Sequence, residues 1–510
     1  PFQSLRPRSA NRRIVLALTS AGLFLASLDA YVVVTAILPM LTTVRIPVNH
    51  LERATPIITG FLLGYLAAMP IAGGLSDRFG RIRVFIGCLL LFGAGSLLTA
   101  TAGSLSQLVT GRLLQGAGGG ALVPIVLALA ADLYPTGGRS PVLGAVSALQ
   151  EIGSVLGPLW GGLIAASLGW TWIFWINLPF AALLIWAIWP EARVAREPRP
   201  LGSVDWLGAA LAAAGLALLT LALYAADPER SPLGPNFLWQ APLALVFFFL
   251  FAWHERRTPQ PLLDVRQFRD SCFSGAAITN AVAGAGLMVA LVYIPVLAES
   301  PIVFSMNPRQ AALLLFRLML GIPIGALLGG FLAGRLRSYR VAAAAGMVMA
   351  AAGFLFLSGW TERSLQPHLL GLPLRLADAE LLLAGLGLGL EIAPVSAAVL
   401  DAVGEAQRGA GAAVLIVMRL LGMLVGFSLL AGYGLYQFHQ ATAHLLPPIP
   451  TLLPDFAVRY ATYVLHLRQA LIAEYHLIFL STAIALAIGG LVAALTLRPL
   501  ARPRLSLIHI

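Results

Sequence analysis

"AGLFLASLDAYVVVTAILPM" runs from Ala21 to Met40. All of it suits a hydrocarbon medium except Asp29, near the middle. A carboxylate inside an apolar run of membrane length costs roughly 3 kcal/mol or more unless it is paired, protonated or turned to water. The stretch therefore predicts a helix that crosses a bilayer, and it predicts that Asp29 has a task.

The whole chain is built in this way. Of 510 residues, 59% are hydrophobic and 11% charged, and the mean hydropathy is +0.86. A soluble domain carries about 25% charged residues, so the solvent here is lipid. All 33 basic residues are Arg, which keeps its charge in a low dielectric where Lys would lose it. The net charge of +11 would suggest nucleic acid in a soluble protein. In a membrane chain it belongs to cytoplasmic loops held against anionic lipid, and no nucleic-acid partner is expected. Cys88 and Cys272 lie in apolar surroundings and are expected to be packing residues. The final six residues, 505–510 ("LSLIHI"), match a translated sequencing-adapter end and are set aside.

Fourteen segments reach the roughly 20 apolar residues that a span requires. Twelve group as six and six, around a central pair at 204–226 and 238–255. With the N-terminus inside, the inner segments hold 22 Arg and the outer segments 8, so both termini are expected in the cytoplasm. The expected fold is an all-α integral membrane protein with two six-helix bundles, 1–190 and 271–504, joined by a linker of two extra transmembrane helices, 191–270. The halves echo each other weakly. "MPIAGGLSDRFGR" (69–81) parallels "IPIGALLGGFLAGR" (322–335), and "LLQGAGGGALVP" (113–124) parallels "LAGLGLGLEIAP" (383–394). Such repeats mark transporters made of two similar bundles.

Four motifs carry a family resemblance. "GGLSDRFGR" (73–81) resembles the loop signature between the second and third helices of the major facilitator superfamily, and "GRLLQG" (111–116) its fourth-helix Arg motif. "GSVLGPLWGG" (153–162) resembles its antiporter motif. "SLDAYVV" (27–33) with "WTWIFWINLP" (170–179) resembles the fourteen-helix drug:proton antiporter branch. A closer likeness covers nearly the full length: "DAYVVVTAILPM" (29–40), "IPVNHLERAT" (46–55), "LLGYLAAMP" (62–70), "SALQEIGSVLGPLWG" (147–161) and "MRLLGMLVG" (418–426) are similar to the mycobacterial triacylglyceride exporters of that branch. The resemblance implies a proton-coupled exporter in the bacterial inner membrane, working with a periplasmic lipoprotein that carries the lipid. The second half departs from the loop signature, with Ala333 where the first half has Asp77.

Each motif has a physical reading. Gly74 and Gly80 allow a tight reversal, while Asp77, Arg78 and Arg81 place charges at helix ends, where an acid can cap a neighbouring helix and lock an inner gate. Gly153, Gly157, Gly161 and Gly162 share one helix face and admit a neighbour closely. Pro158 frees a carbonyl and bends the span. Depth then pairs the intramembrane charges. Asp29 lies roughly 22 Å from the inner end of its span, and Arg112 about 21 Å. Glu151 and Arg419 both lie roughly 16 Å in. Arg317 and Glu391 lie roughly 14 and 20 Å from the outside, a looser match. A carboxylate that is paired in only one conformation titrates differently in the two, which makes a proton-coupling device.

The last two helices could each run to about 40 residues, or roughly 60 Å, with "LLPPIPTLLPD" (445–455) between them. An outer protrusion at about 440–465 could guide a lipid out of the bilayer or dock a carrier. The expected activity is proton-coupled export of a triacylglyceride-like lipid from the inner membrane to the outer side, with efflux of small amphiphilic compounds as the alternative. The expected substrate is a membrane lipid or amphiphile, the transporter acts as a monomer, and no cofactor is needed beyond the proton gradient. The eight histidines form no catalytic set and no metal-ligand spacing occurs, so no enzyme is expected. A passive channel would leave the charge pairs unexplained.

Overall fold

The computed structural model describes residues 9–44, 46, 53–134, 139–194, 205–224, 231–259, 261–262, 264–361, 364, 367–369, 372–403, 408–445 and 456–498, apart from some side chains within the helices, among them those of Asp77 and Glu151. The all-helical expectation holds, with one small exception. The described residues form sixteen α-helices and a short antiparallel hairpin, Pro367–Leu369 with Leu372–Arg375.

The first half contains α1 (Ser9–Val32), α2 (Ile37–Thr43), α3 (Thr55–Phe79), α4 (Arg81–Ala100), α5 (Leu105–Leu133), α6 (Arg139–Ser167) and α7 (Thr171–Val194). The central pair is α8 (Trp206–Leu223) and α9 (Phe237–Glu255). The second half contains α10 (Ser271–Glu299), α11 (Pro308–Leu336), α12 (Tyr339–Ser358), α13 (Leu376–Leu390), α14 (Ile392–Ala402), α15 (Arg408–Thr442) and α16 (Phe456–Thr496). Among the described residues, twelve segments are long and apolar enough to cross a membrane, and α3 and α6 add the shorter apolar stretches Thr55–Met69 and Ile152–Ser167.

Two expected single spans are interrupted, each for a local reason. Between α1 and α2 the chain tightens into a 3₁₀ turn at Val33–Thr35, in a run of β-branched residues that crowd the preceding turn of a helix. Between α13 and α14 the break falls at Glu391. Pro394 has no N–H to give the Leu390 carbonyl, and Gly329 of α11 packs against that carbonyl so closely that a Cβ could not fit.

The chain packs as two compact units. One comprises Pro1–Asp264, Met288–Phe316 and Leu424–Ile478; the other Val265–Leu287, Arg317–Met423 and Phe479–Ile510. In the first, α5 runs between α3 and α4. Gly116 and Gly120 abut the carbonyls of Phe61 and Tyr65 in α3, while Gly118 abuts the backbone of Cys88 and Phe92 in α4. In the second, Gly385 and Gly389 of α13 abut the carbonyls of Leu318 and Ile322 in α11, and Gly387 abuts Ala350 in α12. The two Gly-rich stretches noticed as a repeat thus do the same work. They let backbones touch where lipid offers no hydrophobic drive for association.

Candidate functional site

Asp29 and Arg112 meet in the first unit, as their matched depths predict. Arg112 Nη1 donates to Asp29 Oδ2 at 2.7 Å, and both side chains are 1% exposed. Neutral residues complete the cluster. Arg112 Nη1 also donates to Gln115 Oε1 at 3.0 Å. Gln115 Nε2 donates to Asp29 Oδ1 at 3.2 Å and to Ser96 Oγ at 2.8 Å. Asn177 Nδ2 donates to Asp29 Oδ1 at 2.7 Å and to Ser96 Oγ at 3.0 Å. The guanidinium lies over the Phe61 ring, 4.1 Å from its centroid. Four helices, α1, α4, α5 and α7, therefore converge on one carboxylate. In such a medium each ion is tolerable only because the other is there. Parted from Arg112, an ionised Asp29 would keep only the amide donors of Gln115 and Asn177.

The antiporter-motif glycines set the position of α1. Gly153, Gly157 and Gly161 of α6 face the carbonyls of Phe24, Leu28 and Val32, one turn apart, and any Cβ there would collide with them. Thr35 Oγ1 donates to the Pro158 carbonyl at 2.9 Å, tying the 3₁₀ turn to the proline. Gly162 faces elsewhere, toward Ala312 and the Pro308 carbonyl of α11.

One depth-based pairing is revised. Arg317 Nε stands 2.5 Å from Asp378 Oδ1, in the first turn of α13, so its expected pairing with Glu391 does not hold. Helical side chains lean toward the N-terminus of their helix, which carries this guanidinium toward the start of α11, past the depth of its own Cα. Glu391 is fully buried, and the opposing charge acting on it is that of Arg419. Each of these residues stands about 16 Å along its helix from the α14–α15 connection, a match that counting Glu391 from the other end conceals. The side chain of Glu151, the expected partner of Arg419, lies outside the described residues.

Between α3 and α4, Gly80 has φ +94°, a conformation that glycine tolerates. Arg81 binds Asp132 Oδ2 at the end of α5, at 3.1 Å, and donates to Ser76 Oγ at 2.8 Å. Arg78 lies 5.3 Å from the ring centroid of Phe79. Gly74 lies within α3, and the side chain of Asp77 lies outside the described residues.

Residues 19–427 match the Major Facilitator Superfamily. The chain belongs to that superfamily. Among its relatives, the triacylglyceride transporter of Mycolicibacterium hassiacum is 39% identical over 498 residues, covering 95% of this chain and 91% of that one. The triacylglyceride transporter of Mycobacteroides abscessus is 41% identical over 436 residues, covering 84% of each. Among solved structures, an auto-inhibited peptide transporter of the POT family superposes with a TM-score of 0.64 at 18% identity, covering 96% of this chain and 98% of that one, which shows a shared fold. The protein is thus a multi-span membrane transporter of a bacterial family, not an enzyme.

Several residues that build this facilitator's site escape a search for charges. Gln115 stands one turn beyond Arg112, on the same helix face, and that spacing was the available signal. Asn177 sits inside a quoted motif, and Ser96 carries no signal of its own. Glu474 of α16, 4% exposed, is a further buried acid within a span. It lines a cavity of about 30 Å³, room for one water, beside Tyr293 and Thr55.

Proposed function

We propose that this facilitator is a proton-coupled exporter of a neutral, triacylglyceride-like lipid, moving it outward across a bacterial inner membrane in exchange for protons. The coupling rests on one observation: Asp29 is buried at 1% exposure and paired with Arg112 at 2.7 Å, on a helix whose approach to α6 depends on glycines at backbone contact. The lipid rests on relatives named triacylglyceride transporters at 39% and 41% identity.

Fourteen spans with both ends cytoplasmic belong to the same reading, as does action as a monomer. So does delivery to a lipid-carrying lipoprotein on the outer side. α16 supports the delivery step, since its 41 residues make about 60 Å of helix, twice the thickness of a hydrocarbon core. The test is lipid analysis of inner and outer membranes in a bacterium expressing the wild type or Asp29→Asn. Triacylglyceride accumulating outside only with the wild type supports the proposal. An unchanged lipid distribution, with efflux of a cationic dye instead, refutes it.

A further inference from the structure

A cavity of about 440 Å³ lies among α1, α6 and α7, within the range of small-ligand sites. Leu25, Leu28, Leu159 and Phe180 are among its apolar walls, and Asn177 shares the lining with Trp160, whose indole N–H is a second polar group. Phe180 and Leu183 are 52% and 56% exposed there. In a membrane protein such a surface faces acyl chains, so a hydrocarbon chain can enter from the side.

Asn177 belongs to both places. Its Nδ2 is committed to Asp29 Oδ1 and Ser96 Oγ, an orientation fixed because an ionised carboxylate can only accept. Its side-chain oxygen takes no hydrogen bond from a described residue. While Asp29 is ionised, Asn177 therefore offers the cavity at most an acceptor. A protonated Asp29 has an O–H that needs an acceptor of its own. Rotation of the Asn177 amide by half a turn supplies one, and the Ser96 hydroxyl can donate to the same oxygen. The rotation turns the amide N–H₂ toward the cavity. The only charged side chain shown against Asp29 is Arg112, from α5; α4 and α7 present the neutral Ser96 and Asn177.

We propose that this cavity holds one acyl chain of the transported lipid with its ester carbonyl at Asn177, and that rotation of the Asn177 amide links the protonation of Asp29 to ester binding. The inference rests on the lipid-export reading and adds a site and a positioning residue to it. Ester carbonyls accept hydrogen bonds and donate none, so Asn177 favours an ester only when Asp29 carries a proton.

The test uses the full transporter in phospholipid nanodiscs. It is photolabelled with a triacylglyceride bearing a diazirine in one acyl chain, and separately with the matching trialkyl ether, at mildly acidic and mildly alkaline pH. Labelling of the α1, α6 and α7 peptides is read by mass spectrometry. The ester probe should label them about fivefold more at acidic pH, the worth of one net hydrogen bond, and excess unlabelled triacylglyceride should displace it. The ether, which lacks the carbonyl and offers only its weaker ether oxygens, should show a smaller rise. Asp29→Asn should keep the ester at its acidic-pH level throughout, because the new amide donates to Asn177 as the acid does. Asn177→Leu, its fold checked by thermal melt, should remove the ester–ether difference. The site is overturned by equal pH responses of ester and ether, by label that triacylglyceride cannot displace, or by label confined to other helices. Absence of displaceable label anywhere on the protein would overturn the lipid-export reading as well.

Discussion

Removing Arg112 should cost more than removing Asp29, and removing both should cost less than the sum. In Arg112→Leu, the Asp29 carboxylate keeps Gln115 and Asn177 but loses the cation at 2.7 Å. Stranding a buried charge costs about 3 kcal/mol here, at the low end because two hydrogen bonds remain. The contact with the Phe61 ring adds about 1 kcal/mol, for a total near 4. In Asp29→Asn the guanidinium keeps an amide oxygen, Gln115 and the ring, so about 2 kcal/mol is expected. The double variant strands no ion and should lose about 3 kcal/mol, giving a coupling near 3. Denaturant unfolding in mild detergent measures all three. Acidification should shrink the Arg112→Leu loss, because the lone acid can then take up a proton, and should leave Asp29→Asn unchanged. Coupling below about 0.5 kcal/mol would refute the pairing.

Gly161→Val should block transport and cost about 2 kcal/mol by overpacking, since its Cβ would meet the Val32 carbonyl and Thr35; Gly73→Ala, which meets nothing within 4 Å, is the control in a thermal melt and lipid-export assay. Asp132→Asn should change stability by at most about 1 kcal/mol, because its pair with Arg81 is partly exposed, yet should slow transport, as initial rates will show. Replacing residues 440–462 with a short Gly/Ser turn should leave the protein folded and stop lipid delivery to a carrier while sparing dye efflux.

Much of this was legible from one-dimensional spacing. Residue counts along a rigid rod put Asp29 level with Arg112, and the structure brings them together. The same counting failed for Arg317, because a guanidinium reaches beyond its own turn to Asp378. It failed for Glu391 because the choice of end decided which arginine matched. The break at Glu391 could have been read from Pro394. Gln115, Asn177 and Ser96 stayed hidden because neutral polar residues within an apolar helix have no visible need for a partner, though burial gives them one. The interruption of the first span could likewise have been read from the β-branched run Val32–Thr35.

The most direct test of proton-coupled lipid export is simultaneous measurement of lipid and proton movement in proteoliposomes. The transporter is reconstituted with labelled triacylglyceride, a pH gradient is imposed, and lipid reaching an external acceptor is followed alongside a lumenal pH dye. The account predicts that lipid delivery and proton flux rise together, and that both vanish with Asp29→Asn or when an ionophore collapses the gradient. Lipid delivery at an undiminished rate without the gradient, or in Asp29→Asn, would contradict it.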